Sequence, residues 1–230
     1  MTLDWQNKVA DTIVATEKDL PNRHLIAQNI ANGKAEIKNP HPAVSIFNFH
    51  YASPPDTVSM NWKLRKPIGF DETGFQGTRD RVYRRQAWEF LMAGGAVFSN
   101  LDYSFTPEHE DGSARAEDPT PGGGGRKLRK QLGIMKDFLE RFDLVNAAEN
   151  NAIVATTVPD GLRSEIRALS DRSRSSWGVY VPRGPSVELG LELPSRFYHV
   201  EWIDPRDGKV LKAEDLDARG GITTGSGLQP

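Results

Sequence analysis

A short apolar segment, residues 66–74, ends in a carboxylate followed by a glycine turn. Its strand-forming residues would deliver Glu72 to the end of a β-strand, and Gly74 leaves room beside it. Hydrolysis of a glycosidic bond needs a carboxylate in such a fixed position together with a proton donor. His50 and Tyr51 end another strand-like run and could orient this carboxylate and keep it ionised. A lone Glu at a strand end can equally be a solvated or helix-capping residue.

Four β-type runs alternate with helical patterns along the first half of the chain, after an amphipathic helix expected at residues 4–19. The strands are expected at residues 24–30, 44–51, 66–72 and 96–101, and a helix at residues 79–92. This alternation predicts parallel strands joined by crossovers, whose polar end residues meet at one edge of the sheet. Asp71 alternates with Glu72 and is therefore expected to point to the opposite side of the sheet.

The composition changes twice in the second half. Residues 106–125 are rich in Pro, Asp, Glu and Gly and end in four glycines, which predicts a long mobile loop closed by a flexible linker. An apolar stripe predicts a helix at residues 126–142. Beyond it, short alternating runs split by turns predict an antiparallel β-sandwich, with residues 220–230 as a loop. Its aromatic residues are expected in the core and interface rather than in sugar binding.

The composition excludes several classes of protein. The 230 residues carry a formal net charge of -2 with scattered basic residues, which argues against a nucleic-acid partner. No apolar run approaches the length of a membrane span, and the N-terminus lacks the basic and apolar stretches of a secretory signal. The chain has no cysteine, and its dispersed histidines argue against a metal site. We therefore expect no metal or organic cofactor.

Three segments carry a resemblance to a known family. Residues 47–51, 66–74 and 83–96 resemble the last barrel strands of clan A glycoside hydrolases. The resemblance is closest to the cellulase-like group, in which a small β-domain of collagen-binding type follows the barrel, and it covers residues 4–213. It implies an α/β fold with the C-terminal half, strands five to eight, of a (β/α)8 TIM-type barrel at residues 1–148. A small antiparallel β-sandwich domain, incomplete at its C-terminus, would occupy residues 149–230.

The resemblance also implies roles for particular residues. Glu72 would be the nucleophile at the end of the seventh strand, and His50 and Tyr51 at the end of the sixth strand would bind substrate or orient the nucleophile. Asn100 and Asp102, after the eighth strand, would line the sugar site. The resemblance implies a carbohydrate substrate and a parent protein that is secreted or periplasmic.

The sequence departs from this family in one respect. The acid/base Glu of the family follows an Asn at the end of the fourth strand, and no such pair precedes residue 24. A closed barrel also needs about 200 residues or more, whereas only 148 precede the predicted β-domain. We therefore predict a fragment of a retaining hydrolase of poly- or oligosaccharides, inactive alone. Its exposed edges would favour self-association.

Two questions stay open from the sequence. The alternative function is a non-catalytic protein that binds a carbohydrate or matrix through its β-domain, with the α/β part as scaffold. If no upstream strand supplies the acid, a different proton donor must be sought among Asp102, Glu108 and Glu110.

Overall fold

The computed structural model describes residues 3–115, 117, 122–155, 162–171, 173, 175–183, 186–219 and 221–228. The helices are α1 (Leu3–Thr16), α2 (Asp56–Asn61), α3 (Asp80–Met92) and α4 (Arg126–Leu139). The strands of the first half are β1 (Ile26–Asn32), β2 (Val44–His50), β3 (Ile68–Glu72) and β4 (Val97–Phe98). Those of the second half are β5 (Ala148–Glu149), β6 (Arg167–Ser170), β7 (Trp177–Tyr180), β8 (Ser186–Leu193), β9 (Arg196–Ile203), β10 (Val210–Ala218) and β11 (Gly221–Leu228). Within these ranges, every helix is too short or too polar to cross a bilayer.

The first four strands form one parallel sheet in the order β1-β2-β3-β4. The chain is therefore a mixed α/β protein, as the sequence predicts. Aromatic side chains fill the layer between the sheet and α3: the ring of Phe70 lies 5.4 Å from that of Phe90 and 5.3 Å from that of Phe98. In the described residues, β1 and β4 are each paired along one side only.

Gly69, in the middle of β3, allows a close approach between two strands. A Cβ at this position would lie 2.3 Å from Oδ1 of Asn48, its partner in the register of β2 and β3. The absence of a side chain at Gly69 therefore leaves room for the Asn48 side chain beside β3.

The second half is antiparallel. β5, β6 and β7 form a three-stranded sheet, while β9 pairs with β10 and β8 with β11. The expectation of a loop at residues 220–230 is wrong for the described part, because Gly221–Leu228 is a strand along the edge of β8. Backbone hydrogen bonds to β8 outweigh the weak strand propensity of its glycines. The arrangement of a half-barrel followed by a sandwich stays a prediction.

The α/β and β halves meet through α3. The rings of Trp88 and Tyr180 stack 5.3 Å apart with an 8° angle between their planes. Arg85 binds Glu89 at 2.6 Å within α3 and Glu165 of the β half at 3.0 Å. The outer face of α3 is thus a packing surface at Arg85 and Trp88.

Three of the four glycines at residues 122–125 are packed tightly, so the predicted flexible linker is wrong for Gly122, Gly123 and Gly124. A Cβ on Gly122 would lie 2.0 Å from the carbonyl oxygen of Leu101, and one on Gly123 would lie 1.7 Å from that of Gly77. A Cβ on Gly124 would lie 2.0 Å from Oδ1 of Asp102. These three positions have no room for a side chain, whereas Gly125 has open space and a φ of 115°, which favours glycine. Residues 116 and 118–121 of the predicted loop lie outside the described part.

Alanine substitutions should separate this packing role from simple flexibility. We expect Gly123→Ala to lower the free energy of unfolding by about 2 kcal/mol, because its Cβ would overlap the backbone of Gly77. A Cβ added to Gly133, inside α4, would have no atom within 4 Å, so Gly133→Ala should raise stability by about 0.5–1 kcal/mol. Urea unfolding followed by circular dichroism measures both, and equal effects would contradict the packing role.

Candidate active site

Two neighbouring strands deliver the candidate residues to one edge of the sheet. β2 ends at His50 and β3 ends at Glu72, and these two residues are direct partners in the parallel register. Tyr51 follows with a φ of 52°, and its backbone N–H donates to the carbonyl oxygen of Glu72 at 2.8 Å. This left-handed turn carries the Tyr51 side chain back towards the end of β3.

A β-bulge shapes the end of β3. Phe49 pairs with Phe70, and the next pair is His50 with Glu72, so Asp71 is the extra residue. The bulge interrupts the strict alternation of side chains, and the expectation that Asp71 points away from Glu72 is wrong. Nε2 of His50 lies 3.5 Å from Oδ1 of Asp71, a contact without hydrogen-bond geometry, which leaves that oxygen without a hydrogen-bond partner among the described residues.

Both oxygens of the Glu72 carboxylate have a partner. The hydroxyl of Tyr51 donates to Oε1, and Nδ1 of His50 lies 3.0 Å from Oε2. The contact with His50 is within ion-pair distance but lacks the geometry of a hydrogen bond. These two contacts fix the orientation of the Glu72 carboxylate. Its side chain is 27% exposed and is therefore accessible to a ligand.

Tyr51 is held as a hydrogen-bond donor. The hydrogen bond to Glu72 raises the pKa of Tyr51 to about 12, with further contributions from burial and from the charges of Glu72 and Tyr103. At neutral pH the phenol is therefore protonated and donates to the carboxylate. Tyr51 and His50 thus both contact Glu72, and their role in orienting a nucleophile stays a prediction.

Asn100 and Asp102 lie near the same edge, but the contacts they make are with protein groups. Asn100 accepts from the Thr73 hydroxyl and donates to the carbonyl oxygen of Gly123. Asp102 binds Arg129 at 2.8 Å and accepts from Ser104. Both residues therefore anchor the chain that follows β4. Their predicted contact with a sugar stays a prediction.

The electrostatics of Asp102 weigh against a role as proton donor. Burial acts to raise its pKa, but hydrogen bonds from Ser104 and Arg129 outweigh it and hold the pKa below its ordinary value. A carboxyl group ionised at neutral pH has no proton to give to a leaving group. Glu108 and Glu110, the other candidates, are exposed on the loop after β4.

Two aromatic residues beside Tyr51 were not singled out by the sequence. The ring of Phe75 lies 6.0 Å from that of Tyr51 and is 58% exposed. Tyr103 is also exposed, and its charge contributes to the pKa of Tyr51. Exposed aromatic faces beside a carboxylate suit a flat, partly apolar ligand such as a sugar ring. The sequence signal that could have identified them is their position, because Phe75 directly follows Gly74 and Tyr103 directly follows Asp102.

The comparison with known proteins bears on this arrangement. No protein family matches the sequence, and no curated protein matches it significantly. Solved structures do match. One described as a glycoside hydrolase superposes over 97% of this chain with a TM-score of 0.64 and 13% identity. A glycoside hydrolase family 5 protein from Bacteroides vulgatus superposes over 93% with a TM-score of 0.63 and 14% identity.

This chain shares its fold with glycoside hydrolases. The resemblance predicted from the sequence is thus confirmed at the level of the fold. The chain spans 65% and 54% of the length of these two proteins. The collagen-binding type of the β-domain and the roles of individual residues stay predictions.

The pKa of Tyr51 offers a direct test of the Glu72 contact. A folded-state pKa raised from 10.0 to about 12 means that the hydrogen bond stabilises the protein fully below pH 10 and that this contribution is lost as the pH rises through 12. We expect Tyr51→Phe to lose about 1 kcal/mol at neutral pH, and this difference should shrink between these pH values.

Tyrosine ¹³Cζ NMR measures the titration itself, with the Tyr51 resonance assigned by its absence in Tyr51→Phe. In Glu72→Ala, the Tyr51 pKa should fall towards 10 because its acceptor is gone. A Tyr51 titration that is the same in Glu72→Ala and the unsubstituted protein would contradict the contact.

Proposed function

We propose that this chain is the C-terminal part of a retaining glycoside hydrolase of clan A type, with Glu72 as its nucleophile. The observation that carries the proposal is the Glu72 carboxylate, held through both oxygens by Tyr51 and His50 at a strand end yet partly exposed. The fold shared with glycoside hydrolases supports the same interpretation. The substrate would be a poly- or oligosaccharide.

In this proposal, Glu72 carries out the first chemical step while Tyr51 and His50 position its carboxylate. One oxygen of Glu72 attacks the anomeric carbon, the bond to the leaving oxygen breaks, and a glycosyl ester forms on Glu72. The hydrogen bond from Tyr51 and the contact with His50 limit the rotation of the carboxylate before attack. Water then attacks the same anomeric carbon and releases Glu72.

The proton for the leaving oxygen would come from a second carboxyl group about 5 to 5.5 Å from Glu72. Asp71 is a direct neighbour in the chain and contacts the opposite nitrogen of His50, so it is not placed for this role. We propose that the acid/base residue lies on a strand beyond the four described here. The isolated chain would then be inactive towards substrates with poor leaving groups.

We further propose that the parallel sheet is strands five to eight of a barrel within residues 1–148, with a β-sandwich domain at residues 149–230. One supporting observation is that the outer edge of β1 has no strand partner in the described residues. Another is an open cavity of about 500 Å³ between α1 and β1, which reaches His50. Further barrel strands would cover both features.

Phe75 and Tyr103 extend the proposal to substrate binding. The exposed ring of Phe75 contacts Tyr51, and Tyr103 is exposed and close enough to act on the pKa of Tyr51; such an aromatic face can stack on a sugar ring next to the bond that is cleaved. Sugar binding at this edge therefore depends on aromatic stacking as well as on hydrogen bonds.

The alternative is a non-catalytic protein that binds a carbohydrate or matrix through the β-domain. Phe197 favours it, because its ring is 79% exposed on β9 and has no role in the described core. The two functions are separable, since the alternative requires Phe197 but does not require Glu72.

Trapping of the covalent intermediate tests the catalytic proposal. Dinitrophenyl 2-deoxy-2-fluoro-β-glycosides carry a leaving group that departs without an acid, so the missing proton donor is not needed. We expect release of one equivalent of dinitrophenolate and a matching mass increase on the peptide that contains Glu72. The glucoside, mannoside and galactoside would be tested in parallel with mass spectrometry as the readout.

Matched amide substitutions of two adjacent carboxylates, Glu72 and Asp71, serve as the controls. Glu72→Gln should abolish labelling, whereas Asp71→Asn should leave the site of labelling unchanged. Labelling of another residue, or no labelling by any of the three sugars, would overturn the role of Glu72 and leave the binding alternative. Loss of carbohydrate binding in Phe197→Ala together with unlabelled Glu72 would support that alternative.

Self-association provides a separate test of the incomplete barrel. Unpaired strand edges at β1 and β4 should drive association of the isolated chain, so light scattering is expected to give a mass that rises with concentration. A monodisperse monomer at all concentrations would count against exposed barrel edges.

A further inference from the structure

A second cavity lies on the other side of α3, where the α/β and β halves meet. It has a volume of about 330 Å³ and is lined on one side by the outer face of α3. Arg81, Arg84 and Trp88 share that face because they are spaced three and four residues apart. Trp177 and Trp202 line the opposite side of this interdomain cleft. Glu72 is not among its lining residues.

The interdomain cleft holds more positive charge than its own carboxylates neutralise. Arg183 pairs with Glu165 at 2.9 Å, and Arg206 pairs with Asp204 at 2.7 Å. The one carboxylate that lines the cleft, Glu201, is already bound to Arg141 at 2.6 Å, outside it. The net charge that Arg183, Arg206 and Glu201 present to a ligand in the cleft is therefore small.

Arg81 and Arg84 differ from Arg183 and Arg206 in their ion pairing. Among the residues that the structure describes, no carboxylate lies within ion-pair distance of either guanidinium. Arg84 donates one hydrogen bond to the neutral amide oxygen of Gln131 at 3.0 Å, which leaves most of its donors unused. Burial lowers the pKa of Arg84, yet an Arg side chain keeps its charge at neutral pH. The two guanidinium groups thus lie beside a partly enclosed cavity without a direct ion-pair partner among the described residues, and the carboxylates of Asp204 and Asp80 act on Arg84 only from a greater distance.

The walls of the cleft match a ring-shaped ligand. Trp177 and Trp202 are partly exposed there, and Trp88, which is buried on the α3 side, stacks on Tyr180. Aromatic faces bind sugar rings, whereas guanidinium groups bind carboxylates through paired hydrogen bonds. A cavity of about 330 Å³ has room for one or two sugar units.

We propose that the interdomain cleft binds an acidic saccharide, with Arg81 and Arg84 contacting its carboxylate and a β-domain indole supporting its ring. The choice of a saccharide rests on the proposed function, whereas the attraction of an anion rests on the arginine pair alone. The site is separate from Glu72, so it would hold an acidic substrate chain or side branch while the other site acts.

Binding of a matched pair of disaccharides tests this proposal in the full chain. Cellobiouronic acid carries a carboxylate where cellobiose carries a hydroxymethyl group, and calorimetry measures the affinity for each. We expect the acidic disaccharide to bind at least about tenfold more tightly, a preference that added salt weakens. Arg84→Gln and Arg81→Gln should each remove most of this preference.

Arg196→Gln is the matched control, because it removes the same charge from β9 at a position away from the cleft lining. It should change the affinity by less than about twofold. Arg81 is exposed, so Arg81→Gln keeps the test valid if the loss of the Arg84–Gln131 hydrogen bond prevents folding of Arg84→Gln.

Three results would overturn the inference. They are equal affinity for the two disaccharides, an acidic preference that survives both cleft variants, and displacement by acetate at equal concentration. Glu72→Ala should leave this binding unchanged, so a failure of Glu72 labelling and a failure of the cleft are told apart.

Discussion

The arrangement at the sheet edge depends on the two contacts that hold the Glu72 carboxylate. They exist only because β2 and β3 pair in one register, in which His50 is opposite Glu72. The bulge at Asp71 supplies the shift of one residue, and Gly69 leaves room for the Asn48 side chain beside β3. The turn at Tyr51 then brings the phenol to the remaining oxygen.

The polar residues around this edge divide into two groups by their partners. Tyr51 and His50 bind Glu72, whereas Asn100 and Asp102 bind groups of the chain after β4. The second group holds the glycine run against the sheet edge, where backbone rather than side chains fills the space. This packing anchors the chain after β4 to Asn100 and Asp102, and anchored supports are what a site of defined geometry needs.

Much of this could be predicted from the sequence, because the pattern that matters is local. Strand-forming runs that end in His50 and Glu72 indicate both the parallel order and the shared edge. The bulge could not be predicted, since it depends on the pairing of two strands distant in the chain. The packed glycines could not be either, because a glycine run has the same composition in a linker and in a crowded loop. Phe75 was missed because an exposed aromatic residue and a buried one look alike in a sequence.

If Glu72 is placed to attack an anomeric carbon, chemical rescue reveals the direction of that attack. In Glu72→Ala, azide can enter the space that the carboxylate leaves and attack a dinitrophenyl β-glycoside from the same face. We predict an α-glycosyl azide, identified by the coupling constant of its anomeric proton and formed only in the variant. A β-glycosyl azide, or no azide product from any of the sugars that label Glu72, would contradict the role of Glu72 as nucleophile.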